Sequence, residues 1–148
     1  MRVSIIDYKT SNLHSVKAAC EEVGIPSRIT SKPNELLSSD AAILPGVGSF
    51  YRAMENIRKL GLEEAILNFV SSGKSLFGIC LGLQLLFEQS EEFGTHEGLS
   101  LLRGKVKKFY FSNENNHKYP VPQIGWNKIM HHNQNWKDTF LDNCREGS

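Results

Sequence analysis

Residues Gly78-Ile79-Cys80-Leu81-Gly82 set a cysteine between two glycines where an apolar run, residues 75–79, gives way to a helix-like pattern. Such a stretch fits a tight strand-to-helix turn. The residue at that turn has strained backbone angles, and its neighbours must be small for the side chain to stand clear of the sheet. Gly78 and Gly82 meet that need, so Cys80 reads as a nucleophile at an elbow. The turn also puts the sulfur at the N-terminus of a helix expected over residues 81–90, where unpaired amides and the helix dipole favour negative charge and can hold an oxyanion. A free cysteine is more often a small buried hydrophobe. The flanking glycines weigh for the nucleophile.

At 148 residues the chain has the length of about one domain. A formal charge of +1, with acids and bases mixed along the sequence, gives no electrostatic footprint for a nucleic acid or an anionic membrane. The N-terminus begins directly with an apolar run at residues 3–6 and lacks a charged region followed by a long apolar one, so export is not expected. No stretch is long enough to span a bilayer. Cys20, Cys80 and Cys144 are an odd and sparse set, which argues for a reducing compartment rather than a disulfide framework. The expected setting is the cytoplasm.

The periodicity gives an order of elements. Residues 3–6 read as a strand, followed by Leu13, Val16, Cys20 and Val23 at helical spacing with Gly24 as the stop. Residues 26–30 suit a second strand, 34–39 a short helix, and 41–44 a third strand broken by Pro45-Gly46. Helices are expected over 50–60 and 62–72, then a strand over 75–79. Strands separated by helices pair in parallel through right-handed crossovers, so the fold class is α/β. After Ser90 the pattern suggests hairpins: a polar turn at 91–98, a lone strand at 105–111 and a polar loop at 112–117. Pro120-Val121-Pro122 then enforces extended backbone. In the last stretch Trp136, Phe140 and Leu141 are the main apolar anchors.

The loop Pro45-Gly46-Val47-Gly48-Ser49-Phe50 follows the third strand, and ligands of open parallel sheets bind at the carboxyl ends of strands. Two glycines free the backbone around Val47 to turn an amide toward a developing oxyanion, with Leu81 N–H as a second donor. Together the two loops point to acyl transfer at Cys80. Taken alone, this loop would be an ordinary strand-to-helix turn. It lacks the lysine of a P-loop and the full glycine spacing of a dinucleotide site.

With both loops in place the chain resembles the class I glutamine amidotransferases, whose elbow reads much like Gly78-Ile79-Cys80-Leu81-Gly82-Leu83-Gln84. Ile5-Ile6-Asp7-Tyr8, Asn12-Leu13, Ser15-Val16, the 45–50 loop and Gly125-Trp126-Asn127 make it similar to the glutaminase subunits of imidazole glycerol phosphate synthases, over residues 1 to about 130. The resemblance implies a flavodoxin-like fold, an open and mostly parallel sheet flanked by helices. It implies a subunit that hydrolyses glutamine without cofactor or metal and passes ammonia to a separate (β/α)8-barrel cyclase in histidine synthesis, the two forming a heterodimer. Carried over, Cys80 forms the glutamyl thioester, and Val47 and Leu81 donate backbone amides to the oxyanion. Gly46, Gly48 and Gln84 hold the glutamine. Asn12, Pro122, Gln123, Ile124 and Trp126 lie at the cyclase interface. Simpler roles stay open: Asn12 as a cap of the first helix, Gln84 as a solvated helix residue, Trp126 as core.

The family's His-Pro-Glu triplet and the preceding aromatic-Val-His-Ser-Tyr strand are not in these 148 residues. The expectation is therefore a type 1 domain over residues 1–148, truncated at its C-terminus and inactive alone for want of a general base. Exposed apolar surface and self-association are expected with it. His131-His132 lies in a polar segment and reads as solvated surface, and His14, His96 and His117 have no local partner that suggests catalysis. No spacing with cysteine or carboxylate suggests a metal. Lys9-Thr10-Ser11 stands where the family usually has a glycine-containing turn, and Gln123 where a histidine is common. These departures suit a paralog supplying ammonia for amino or amidino sugars of surface polysaccharides. A non-catalytic docking protein and a different cysteine hydrolase are the other readings, the last opposed by Gly82-Leu83-Gln84 and the 45–50 loop.

Overall fold

All four residues of β1 (Val3–Ile6) are buried, as befits a strand with a neighbour on each side and packing on both faces. In the computed structural model, which describes residues 1–108, 125–131 and 136–147, β1 is joined by β2 (Ser27–Thr30), β3 (Ala41–Leu44) and β4 (Ser75–Gly78). They pair in parallel in the order β2-β1-β3-β4, as the alternation of strands and helices predicts. The connecting helices are α1 (Leu13–Glu22), α2 (Pro33–Leu37), and the pair α3 (Phe50–Lys59) and α4 (Leu62–Ser71).

The core is where α3 and α4 meet the sheet. Phe50, Ala53, Met54 and Ile57 on α3 and Leu62, Ala65, Ile66 and Phe69 on α4 recur at helical spacing and are all buried. They form one cluster with Ile6, Tyr8, Ala42 and Leu44. Each large side chain fully buried there stabilises by about 1.5–3 kcal/mol. Charges are placed to suit the helix dipoles: Arg58 and Lys59 end α3, Glu63 and Glu64 begin α4. Arg58 Nε donates to both Glu63 carboxylate oxygens at 3.1 and 3.2 Å across the bend. By contrast α1 buries only Cys20, which is the small packed hydrophobe that a free cysteine usually is.

The helix expected over residues 81–90 is not what forms. α5 covers only Leu81–Leu85, and Phe87–Ser90 is a strand, β5. The reason is tertiary. Leu85 and Leu86 carbonyls, which would accept bonds from a continuing helix, accept instead from Leu99 N–H and Leu102 N–H, each at 2.8 Å. Gly98 passes so close to the Phe87 carbonyl that a Cβ there would collide with it. β5 is the middle strand of a second sheet, antiparallel to β6 (His96–Glu97) and parallel to β7 (Leu102–Val106). The strand expected at 105–111 therefore lies earlier and is not alone. Among the described residues only the β5–β6 pair is a hairpin. Residues 109–111, the 112–117 loop and Pro120-Val121-Pro122 lie outside the described residues.

Met1–Lys108 and Phe109–Ser148 are two compact units. In the second, Gly147 N–H donates to Ile129 O at 2.8 Å and His131 N–H to Glu146 Oε1 at 2.9 Å. The anchors Trp136 and Leu141 are partly buried there, whereas Phe140 is exposed. Among the described residues no helix is long and apolar enough to cross a membrane.

Candidate active site at the carboxyl edge of the sheet

β4 ends at Gly78 and α5 begins at Leu81, leaving two residues to reverse the chain. Cys80 takes φ 54°, ψ −118°, a conformation that costs a non-glycine residue about 1–3 kcal/mol and persists only where the surroundings impose it. The surroundings here are backbone. A Cβ on Gly82 would run into the Leu44 carbonyl oxygen and lie 2.7 Å from its carbon. A Cβ on Gly78 would lie 2.7–2.8 Å from Leu83 Cα and N. The same Leu44 oxygen accepts from Ile79 N–H at 3.0 Å. The end of β3 thus presses on the elbow from beneath, and Cys80 is left exposed.

Local bonding at the elbow occupies the amides that follow Leu81. Gly82 N–H donates to Ile79 O at 2.9 Å, and Leu83 and Gln84 amides donate to Cys80 O at 3.0 and 3.2 Å. That leaves the Leu81 amide, beside the sulfur-bearing residue, for an incoming oxygen. Gln84 is exposed one turn beyond Cys80.

The 45–50 loop meets the elbow at this edge. Gly46 is buried, and a Cβ on it would strike Tyr8 Oη and approach Gly82 N at 2.7 Å and Leu81 Cβ at 2.8 Å. Val47 is half exposed, and its amide donates to Thr10 O at 3.1 Å. In this arrangement the amide points to the 9–11 segment. Gly48 has φ 102° with open space around its Cα, which leaves the loop free to pivot there. Ser49, the N-cap of α3, makes no side-chain capping bond. Glu92 does that work from the β5–β6 turn, its Oε2 accepting from Phe50 N–H at 2.7 Å.

Tyr8, two residues beyond β1, is fully buried and donates to Pro45 O at 2.7 Å. Burial raises its phenol far above the ordinary range. The Thr10 hydroxyl pulls the other way, although Thr10 Oγ1 makes no bond of standard geometry, and nearby Cys80 adds to the rise. Lys9 sits at φ 73°, in the left-handed region that favours glycine. Its Nζ and N–H both bind the Asp7 carboxylate, at 2.7 and 2.8 Å. Burial would raise the Asp7 carboxyl, and these bonds outweigh it and hold it low.

The remaining predicted residues fall elsewhere. Asn12 caps α1, its Oδ1 accepting from Ser15 N–H at 3.5 Å. Trp126 is wholly exposed, so it is not a core residue. Pro122, Gln123 and Ile124 lie outside the described residues, as do His117 and His132. His14 is exposed on α1, and His96 lies against the Tyr51 ring at 4.9 Å. His131 has Glu146 at 3.8 Å and the edge of Trp136 at 4.5 Å. Among the described residues no group of three or more His, Cys, Asp and Glu could hold a metal ion.

Sequence reasoning gave no site role to Tyr8, Thr10 or Glu92. The available signal for the first two was position, at the carboxyl end of a central parallel strand. Glu92 had none, since the helix it caps begins far earlier in the chain.

The CobB/CobQ-like glutamine amidotransferase domain family matches residues 2–110. Imidazole glycerol phosphate synthase subunit HisH of Bacillus subtilis is 49% identical over 132 residues, covering 89% of this chain and 62% of that protein. The subunit of the same name from Wolinella succinogenes is 48% identical over 127 residues, covering 86% and 62%. That from Geobacillus thermodenitrificans is 43% identical over 145 residues, covering 98% and 67%. The chain thus spans about three fifths of the length of the first two relatives. Among solved structures, a glutamine amidotransferase superposes with TM-score 0.63 at 24% identity, covering 76% of this chain and 59% of that one. A putative peptidase E from Listeria monocytogenes gives 0.57 at 16%, covering 68% and 62%. Likeness at these identities concerns the fold, an open parallel sheet flanked by helices.

Proposed function

The chain belongs to the class I glutamine amidotransferases through their CobB/CobQ-like domain, and we propose on that premise that it is a cytoplasmic glutaminase subunit supplying ammonia to a (β/α)8-barrel cyclase. The observation that carries the reading is the strained, exposed Cys80 locked between Gly78 and Gly82 above the end of β3. In the proposed reaction Cys80 Sγ attacks the side-chain amide carbon of glutamine. The amide oxygen takes up the negative charge and accepts from Leu81 N–H. A second donor, Val47 N–H, becomes available when it leaves Thr10 O. The C–N bond then breaks as the nitrogen takes up the proton given up by the thiol, ammonia departs, and water hydrolyses the thioester to glutamate and a free thiol. Gly46, Gly48 and Gln84 are the proposed contacts to bound glutamine.

The relatives' name, a subunit of imidazole glycerol phosphate synthase, supports histidine synthesis as the destination of the ammonia. Asn12 and Trp126, both exposed, are proposed as contacts to the cyclase, together with Pro122, Gln123 and Ile124.

None of the chain's own histidines is assigned as the general base. Because such a base contributes about 10²–10⁴-fold, glutamate release by the 148-residue chain with a barrel cyclase is expected to be slower than in a complete relative by a factor in that range. It is still expected to vanish in Cys80→Ala. Release that survives Cys80→Ala contradicts the assignment.

A further inference from the structure

We propose that Tyr8 is a positioning residue, its buried hydroxyl pinning the Pro45 carbonyl and so holding the backbone of Gly46 and Val47 in register with the Cys80 elbow. What the pinned loop is for rests on the glutaminase reading; where it is pinned does not.

The contacts form a chain. Tyr8 Oη donates to Pro45 O at 2.7 Å, with the ring fully buried. The same hydroxyl, Leu81 Cβ and Gly82 N crowd the position a Cβ on Gly46 would take, leaving no room for a side chain. The hydroxyl therefore sits where the loop meets the elbow. Beyond it the loop is tied to the 9–11 segment by Val47 N–H donating to Thr10 O at 3.1 Å, and Gly48 follows at φ 102° in open space. The Pro45 end is fixed and the Val47 end is exchangeable.

That division suits an amide that must turn toward an oxyanion without carrying the whole loop with it. The segment it would leave has spare hydrogen-bonding capacity: among the described residues Ser11 Oγ is buried without a partner, and Thr10 Oγ1, beside Tyr8, makes no bond of standard geometry. A tyrosine phenol is protonated, and therefore a donor, through the neutral range, and burial of Tyr8 only reinforces this. Removing the hydroxyl leaves a buried carbonyl unpaired, an expensive state from which the loop would shift.

The test compares the wild-type chain with Tyr8→Phe in two ways. In amide hydrogen exchange, the Val47 amide of Tyr8→Phe is expected to exchange about tenfold faster, the equivalent of one hydrogen bond, while β1 and β3 amides keep their protection. Unchanged exchange at Val47, or an equal rise in the strands, overturns the proposal. In Cys80 alkylation, a chloroketone analogue of glutamine needs the loop donor and iodoacetamide does not. Tyr8→Phe is expected to slow the first about tenfold and leave the second unchanged. Equal slowing of both, or of neither, overturns the proposal. A wild-type chain that reacts with iodoacetamide but not with the chloroketone sinks the glutaminase reading instead, and the exchange arm then decides on Tyr8. Should Tyr8→Phe not fold, 3-fluorotyrosine at position 8 keeps the ring and strengthens the donor; slower Val47 exchange supports the proposal and unchanged exchange overturns it.

Discussion

Gly82→Ala is expected to cost several kcal/mol and to abolish the cooperative unfolding transition. The added Cβ would run into Leu44 O and stand 2.7 Å from Leu44 C, and neither atom belongs to a side chain that could swing away. Leu44 is fixed twice, by its register with Gly78 in the sheet and by the bond its oxygen accepts from Ile79 N–H at 3.0 Å. Relief must either part β3 from β4 or lift α5 off the sheet. Overpacking a filled site costs about 1–3 kcal/mol, and losing a buried backbone bond adds about 1–3 kcal/mol. Together, about 2–6 kcal/mol, these reach the lower end of the whole stability of a small domain, roughly 5–15 kcal/mol. Urea unfolding followed by circular dichroism measures it. Gly48→Ala is the control: the space is open, and only the positive φ is strained, a loss of about 1–2 kcal/mol. A Gly82→Ala chain as stable as wild type would mean that the elbow does not sit on β3 as described.

Cys80→Gly is expected to abolish chemistry at the site and to stabilise the fold. Wild-type Cys80 pays for its backbone angles, φ 54° and ψ −118°, about 1–3 kcal/mol. Glycine removes that strain and gives back about 0.5–1 kcal/mol through the freedom of the unfolded chain. The side chain is exposed, so little packing is lost. The net expectation is a gain of about 1 kcal/mol for Cys80→Gly and almost none for Cys80→Ala, which keeps a Cβ in the strained position. Chemical denaturation of the three chains decides it. Equal stability of the glycine and alanine variants would remove strain from the account.

What the sequence made legible was local. The four parallel strands and their helices follow from apolar spacing and glycine stops, and the elbow from two glycines around a cysteine, because a close approach of backbone to backbone leaves only one residue type possible. The early end of α5 was not legible. Leu81 to Ser90 carries an acceptable helical pattern, and what stops it are Leu99 and Leu102 amides brought in from later in the chain. The direction of the Val47 amide was hidden for a related reason: side chains around it encode freedom at Gly46 and Gly48, not which carbonyl the amide meets. Tyr8 and Glu92 act on a loop and a helix far from them in sequence, and nothing at either position announces that partner. Asn12 and Trp126 show the opposite lesson. Each admitted a plain structural role, and the structure gives Asn12 its cap while denying Trp126 a place in the core.

The central claim is that Cys80 is a nucleophile that reads glutamine, and the chain carries its own controls: Cys144 is also exposed and Cys20 is buried. The most direct measurement is mass-spectrometric mapping of cysteine modification by a chloroketone analogue of glutamine, with and without free glutamine as competitor. The account predicts modification of Cys80 well ahead of Cys144, none at Cys20, and suppression by glutamine at Cys80 alone. Equal modification of Cys80 and Cys144, with glutamine protecting neither, would contradict it.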